Sequence, residues 1–167
     1  MLKTIIDYLE APVEAGGRLV AWLSLLLVLV MGLIVALRYG FSFGTISLQE
    51  SVMYINGLMV AVGAAYTVKQ DGHVRVDVFY GRLNDRNKAL VNLGGTLFLL
   101  LPGIAYIFYV SWDYVALSWQ IRERSAENSG LPYVYLLKSC LLLMCGLLLW
   151  QGIAELFKNL LLLRRKH

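Results

Sequence analysis

The chain has 167 residues, of which 59% are hydrophobic and 16% charged, with a net charge of +4. Soluble domains carry about 45–50% apolar and about 25% charged residues, so this excess excludes a soluble globular fold and calls for lipid around part of the chain. The positive balance comes without a basic surface bearing stacking aromatics, which argues against nucleic acid as partner and leaves the charge as a signal of topology.

Ahead of the first apolar run, Leu2, Ile5, Ile6, Leu9 and Val13 recur at helical spacing while Lys3, Asp7, Glu10 and Glu14 fall elsewhere. This predicts a short amphipathic helix in the membrane interface, with Pro12 interrupting the pattern. Four long runs follow. Residues 19–37, 51–68, 89–112 and 139–154 carry no charge, and a helix crossing a hydrocarbon core of ~30 Å needs about 20 mostly apolar residues. The spans are therefore placed at 19–38, 47–68, 88–112 and 132–157, joined by loops at 69–87 and 113–131 in one membrane domain covering 1–167. Lys138 lies inside the last of these and reaches the headgroups by snorkelling. Backbone groups in lipid must bond to one another, which permits helix or closed barrel; unbroken apolar runs without alternation select helix. The first span is expected to be retained rather than cleaved as a leader. Its flank mixes Asp7, Glu10 and Glu14 with Lys3 and Arg18, and Arg38-Tyr39-Gly40-Phe41 offers no small-residue cleavage site.

Eleven Lys and Arg fall on the side of the two termini and the 69–87 loop, against four on the other. Basic residues stay in the cytoplasm, so both termini are expected there. Trp22, Trp112, Tyr114, Trp119, Tyr133 and Tyr135 sit near span ends, where amphipathic rings collect. In the second span Gly57, Ala61 and Ala65, with Gly63 and Ala64 beside them, form a small-residue face that allows close approach of another helix, in this chain or in a partner. Asn56 lies next to it and needs a hydrogen-bond partner. Pro102 leaves the carbonyl of Phe98 without a donor and is expected to kink the third span.

The 69–87 loop is the most patterned polar stretch. Asp71-Gly72 reads as a turn; Val74, Val76 and Val78 alternate with His73, Arg75 and Asp77 in extended fashion; Asn84 or Asp85 caps the third span. The 113–131 loop is polar and runs through Ser129-Gly130-Leu131 to Pro132.

Catalytic and cofactor chemistry is missing from the pattern. The histidines are His73, in a loop, and His167, the last residue, which rules out a haem held between intramembrane histidines. Cys140 and Cys145 are spaced for neither a redox motif nor a metal site and read as packing residues. No cofactor, metal site or enzymatic constellation is expected. A transporter acting alone places an ionisable group deep in the membrane, yet the acids nearest the spans, Glu50, Asp113 and Glu155, stand at span ends, and paired Gly/Pro helix breaks are absent.

The segment Ser47-Leu48-Gln49-Glu50-Ser51, followed by Gly63-Ala64-Ala65-Tyr66 and then Gly72-His73-Val74-Arg75-Val76-Asp77, closely resembles the small permease subunit of tripartite ATP-independent periplasmic (TRAP) transporters, the DctQ-like family. That resemblance covers nearly the whole chain. It implies a multi-pass protein of the bacterial inner membrane, scaffolding a large multi-span subunit that performs sodium-coupled, elevator-type uptake of an organic anion delivered by a periplasmic binding protein. It implies structural or intersubunit roles for Glu50, His73, Arg75 and Asp77, beside the helix-packing candidates Asn56, Gly57, Ala61 and Ala65. Two other readings are weighed: a self-sufficient four-helix exporter, disfavoured because the first span has no carboxylate, and a membrane assembly factor without transport.

Overall fold

The computed structural model describes residues 2–70, 72, 80–81 and 83–164. Its elements are α1 (Leu2–Gly40), α2 (Ile46–Lys69), α3 (Asp85–Gly95), a π-helical turn (Thr96–Leu100), α4 (Leu101–Gln120) and α5 (Val134–Arg164), with no strand among the described residues. Four stretches are long and apolar enough to cross a membrane: Tyr8–Gly40, Ile46–Lys69, Arg86–Gln120 and Val134–Leu163. They overlap the four expected spans: the first three extend past the expected bounds at both ends, and the last begins at Val134 rather than 132 and runs on to Leu163, because a helix satisfies its own backbone in water as well as in lipid and does not stop where the apolar run does.

The overrun is greatest in α1. The amino-terminal segment is the beginning of α1 rather than an element of its own, and the helix continues through Pro12. Proline leaves the Tyr8 carbonyl without its usual donor; at the neighbouring carbonyl, Leu9 O, the Trp150 indole N–H of α5 donates at 2.9 Å. Ile6 and Val13 are buried, so this segment also packs on the bundle.

Pro102 has its effect one turn earlier than itself. The Leu101 N–H reaches back five residues to the Thr96 carbonyl, closing a π-helical turn directly ahead of the proline. Asn84 caps α3, its side-chain oxygen accepting from the Asn87 N–H at 2.9 Å.

The helices assemble around α5, which packs against α1, α2, α3, the π turn and α4. Over a quarter (28%) of its most apolar window is buried, against none of the corresponding windows in α1 and α3–α4. The inner layers are built from Val13, Ala65 and Leu148, with Ala64, Tyr66, Ile104, Met144 and Leu147 around them. Close approach is obtained by small residues. A Cβ on Gly16 would stand 2.7 Å from Val62 Cγ1, one on Gly17 would run into the Tyr66 ring, and one on Gly57 would stand 2.9 Å from Leu137 Cδ1. Gly152 of α5 does the same for the π turn, facing Leu100 and Leu101 at 2.9 and 2.8 Å. With lipid as solvent, such van der Waals contact is what draws helices together.

Candidate functional site

Polar side chains gather in two layers. At about 1.5 Å per residue, Glu50 and Lys69 stand about 28 Å apart along α2, close to the thickness of a hydrocarbon core. One layer lies at the end where α1 joins α2 and α4 joins α5 (the hairpin end), the other at the end that carries both termini.

At the hairpin end Glu50, half-buried near the start of α2, accepts from the Ser125 hydroxyl with Oε1 and from the Leu131 N–H at 2.6 Å with Oε2. The Ser47 hydroxyl donates to the Ser129 carbonyl. The first turns of α2 thereby hold the loop between α4 and α5. That loop starts with a helix-terminating motif: Arg122 takes φ 44°, and the Glu123 N–H bonds back to the Ser118 carbonyl at 3.0 Å. The reversal brings Glu123 against Lys138 of α5, 2.5 Å from its ammonium, which also lies 4.0 Å over the Tyr114 ring. Trp119 donates to Ser139 at 2.8 Å and its ring stacks obliquely on Tyr135.

The Glu123 carboxyl is held below its ordinary value of 4.5, first by the hydrogen bond from Lys138 and further by the nearby Ser118 hydroxyl, while burial pushes the other way by more than the Lys138 charge adds. A depressed carboxylate contributes stability above its unfolded pKa, and that contribution disappears as pH falls through the folded value. Thermal unfolding of the wild type and of Glu123→Gln in detergent is therefore expected to differ at neutral pH. The two curves should converge as pH drops below about 4.5; a gap that persists into acid contradicts the pairing.

At the terminal end Lys69 lies 2.6 Å from Glu14 and 3.8 Å from Glu10, and Lys158 lies 4.0 Å from Glu10 and 3.1 Å from Glu155. These contacts tie α1, α2 and α5 together. Nearby, Asn159 is buried and donates to the Glu155 carbonyl at 2.8 Å. One turn from Glu155 toward the middle, Gln151 is fully buried, and among the described residues neither its Nε2 nor its Oε1 has a partner. An unpaired buried amide costs about 1–3 kcal/mol. Gln151→Leu, of similar volume, is expected to raise the stability of the purified protein by that amount, read from thermal unfolding; a lower melting temperature would mean that the amide is bonded.

The residues singled out from the sequence are dispersed. Glu50 anchors the hairpin-end layer. Gly57, Ala61 and Ala65 lie within the bundle, Ala61 and Ala65 buried and Gly57 against Leu137 and Cys140 of α5. Asn56 instead faces outward. His73, Arg75, Asp77, the alternating valines and His167 lie outside the described residues. Sequence reasoning missed the Lys69 pairs, the Glu123–Lys138 pair, Gln151 and the Gly16-Gly17 crossing. The glycine pair was the available signal; the Lys69 ion pairs join residues 55 and 59 positions apart and leave no local trace.

The arrangement is that of a polytopic helical membrane protein with a packed interior: two belts of paired charge bound a middle layer, and no group of His, Cys, Asp and Glu among the described residues is placed to hold a metal ion. The model of the DctQ component of tripartite ATP-independent periplasmic transporters matches residues 16–162. The chain belongs to that family and is a TRAP small permease component, a class of transporter subunit that works with a larger DctM component and a substrate-binding protein. No curated protein and no solved structure matches the chain.

Proposed function

We propose that this chain is the stationary small subunit of a sodium-coupled importer of an organic anion in a bacterial inner membrane. A periplasmic binding protein delivers the anion, the larger subunit binds it with sodium and carries it across by an elevator movement, and this chain holds that subunit in place. Both termini and the 69–87 connection face the cytoplasm, as the eleven-to-four division of Lys and Arg favours. Glu50 keeps the periplasmic loop in shape, while His73, Arg75 and Asp77 serve as contacts on the cytoplasmic side.

The observation that carries this reading, beside the family, is the chemistry of the middle layer. Between Glu50 and Lys69 of α2, and between Lys138 and Glu155 of α5, there is no charged side chain, whereas a coupling ion or a carboxylate substrate needs an ionic or strongly polar partner within the membrane. Conduction therefore belongs to a neighbour. In proteoliposomes, the chain alone should give no sodium-dependent uptake of any organic acid, and uptake should require the larger subunit and the binding protein. Sodium-driven uptake by the chain alone would overturn the proposal.

A further inference from the structure

The two halves of α2 are covered differently. Toward Lys69, residues 61–69 are all buried or half-buried, enclosed by the crossing at Gly16-Gly17 and by α5. Toward the hairpin end, Ile46, Gln49, Met53, Asn56 and Val60 are exposed. Their spacing of three and four places them on a single stripe along the helix, about 21 Å long.

Four of these side chains are at home where they stand: Ile46, Met53 and Val60 can meet lipid, and Gln49 lies level with Glu50 at the membrane boundary. Asn56 is not. It stands about 9 Å deeper than Glu50 along α2, inside the hydrocarbon layer bounded by the two belts. Its carboxamide offers two donors and an acceptor oxygen, and among the described residues it meets no hydrogen-bonding partner. The serine and threonine side chains of this helix all have partners: Ser51 and Thr67 donate back to the Leu48 and Gly63 carbonyls, and Ser47 donates to the Ser129 carbonyl. Acyl chains have no hydrogen-bonding atoms, and water is excluded at that depth, so what covers Asn56 must be another membrane-embedded polypeptide.

We infer that the stripe from Ile46 to Val60 is the face on which the larger permease subunit docks, with a helix of that subunit supplying a polar side chain or a free carbonyl to the Asn56 carboxamide. The inference rests on the function proposed above and adds to it the face, the depth and the anchoring residue. The stripe is confined to one half of α2, which fits a partner helix crossing at an angle rather than running alongside.

A benzophenone amino acid placed singly at Met53, Asn56 and Val60 in the assembled complex tests it. Irradiation is expected to join all three positions to the larger subunit. Adducts to a second copy of this chain, or to no protein while the larger subunit still co-purifies, overturn the inference and leave the proposed function standing; failure of the larger subunit to co-purify with the wild-type chain removes both. A milder change gives a second measurement. Interhelical hydrogen bonds in membranes are modest, so Asn56→Leu should weaken association with the larger subunit about 3- to 15-fold, and Asn56→Gln should retain most of it. Leucine at this position favours insertion of the span. Wild-type association of Asn56→Leu would count against the contact.

Discussion

Gly17→Val is expected to lower the stability of the bundle by about 1–3 kcal/mol, seen as a fall in melting temperature and in yield of folded protein from mild detergent. Local propensity predicts the opposite sign, since glycine is the poorer helix former by a few tenths of a kcal/mol. Packing decides the outcome. A Cβ on Gly17 would enter the ring of Tyr66, and that ring lies against the buried layer of Val13, Ala65 and Leu148, so it cannot swing away without opening the core. Gly16 is in the same position against Val62. The tightness can be tested with the partner residue. Tyr66→Ala alone should cost about 3 kcal/mol or more for the cavity it leaves. In the double variant, the valine fills part of that space, and the two losses should fall short of additivity. Full additivity, or a Gly17→Val protein as stable as the wild type, would show that α1 and α2 do not cross this closely.

Glu50→Ala should loosen the opposite end of the bundle. The carboxylate is the common acceptor for the Ser125 hydroxyl and the Leu131 N–H. Removing it leaves both donors without their acceptor in a half-buried position. The consequence is local as well as global. Hydrogen exchange at Leu131 and through residues 123–131 should accelerate, because Glu50 and Ser47 hold this loop to α2. Glu50→Gln keeps one acceptor oxygen but loses the charge that strengthens both bonds, and should lie between alanine and the wild type. Unchanged exchange in Glu50→Ala would mean that the loop keeps its shape without the carboxylate. The proposed periplasmic face would then have to be organised by Lys138 and Glu123 instead.

Much of the architecture could be read before any coordinates. Four uncharged runs near 20 residues have one stable arrangement in lipid, because only a helix can bond its backbone within a single segment, and the four crossing helices follow. The cap at Asn84 was likewise readable as one of two candidates, since capping joins residues three apart. So was the disturbance at Pro102, though its form, a π turn ahead of the proline, was not. The amino-terminal segment resisted for a related reason. Charges and Pro12 mark the end of an apolar run, but they do not end a helix when another helix supports it, as Trp150 of α5 does at Leu9.

The candidate site divides the same way. Glu50 stood out from its place beside an apolar run, but its partners at Ser125 and Leu131 are 75 and 81 positions away, and no periodicity connects them. Gly57, Ala61 and Ala65 were visible as a close-packing face, while what they pack against, α5 at Gly57 and both α1 and α5 at Ala65, was not. Asn56 shows the limit most clearly: a position one residue from Gly57 turns the side chain about 100° around the helix, and only the bundle decides that one points inward and the other out. The sequence by itself determined that the chain has four stretches long and apolar enough to cross a membrane as helix, and it carried the motifs of the DctQ family, because hydrophobic length, backbone hydrogen bonding and motif spacing are properties of short segments. Which side chains meet, that α5 stands at the centre, that Lys69 closes on Glu14 and that Asn56 is left open were decided by the tertiary structure, because those facts depend on how separate helices rotate against one another in a solvent that offers them no hydrophobic preference.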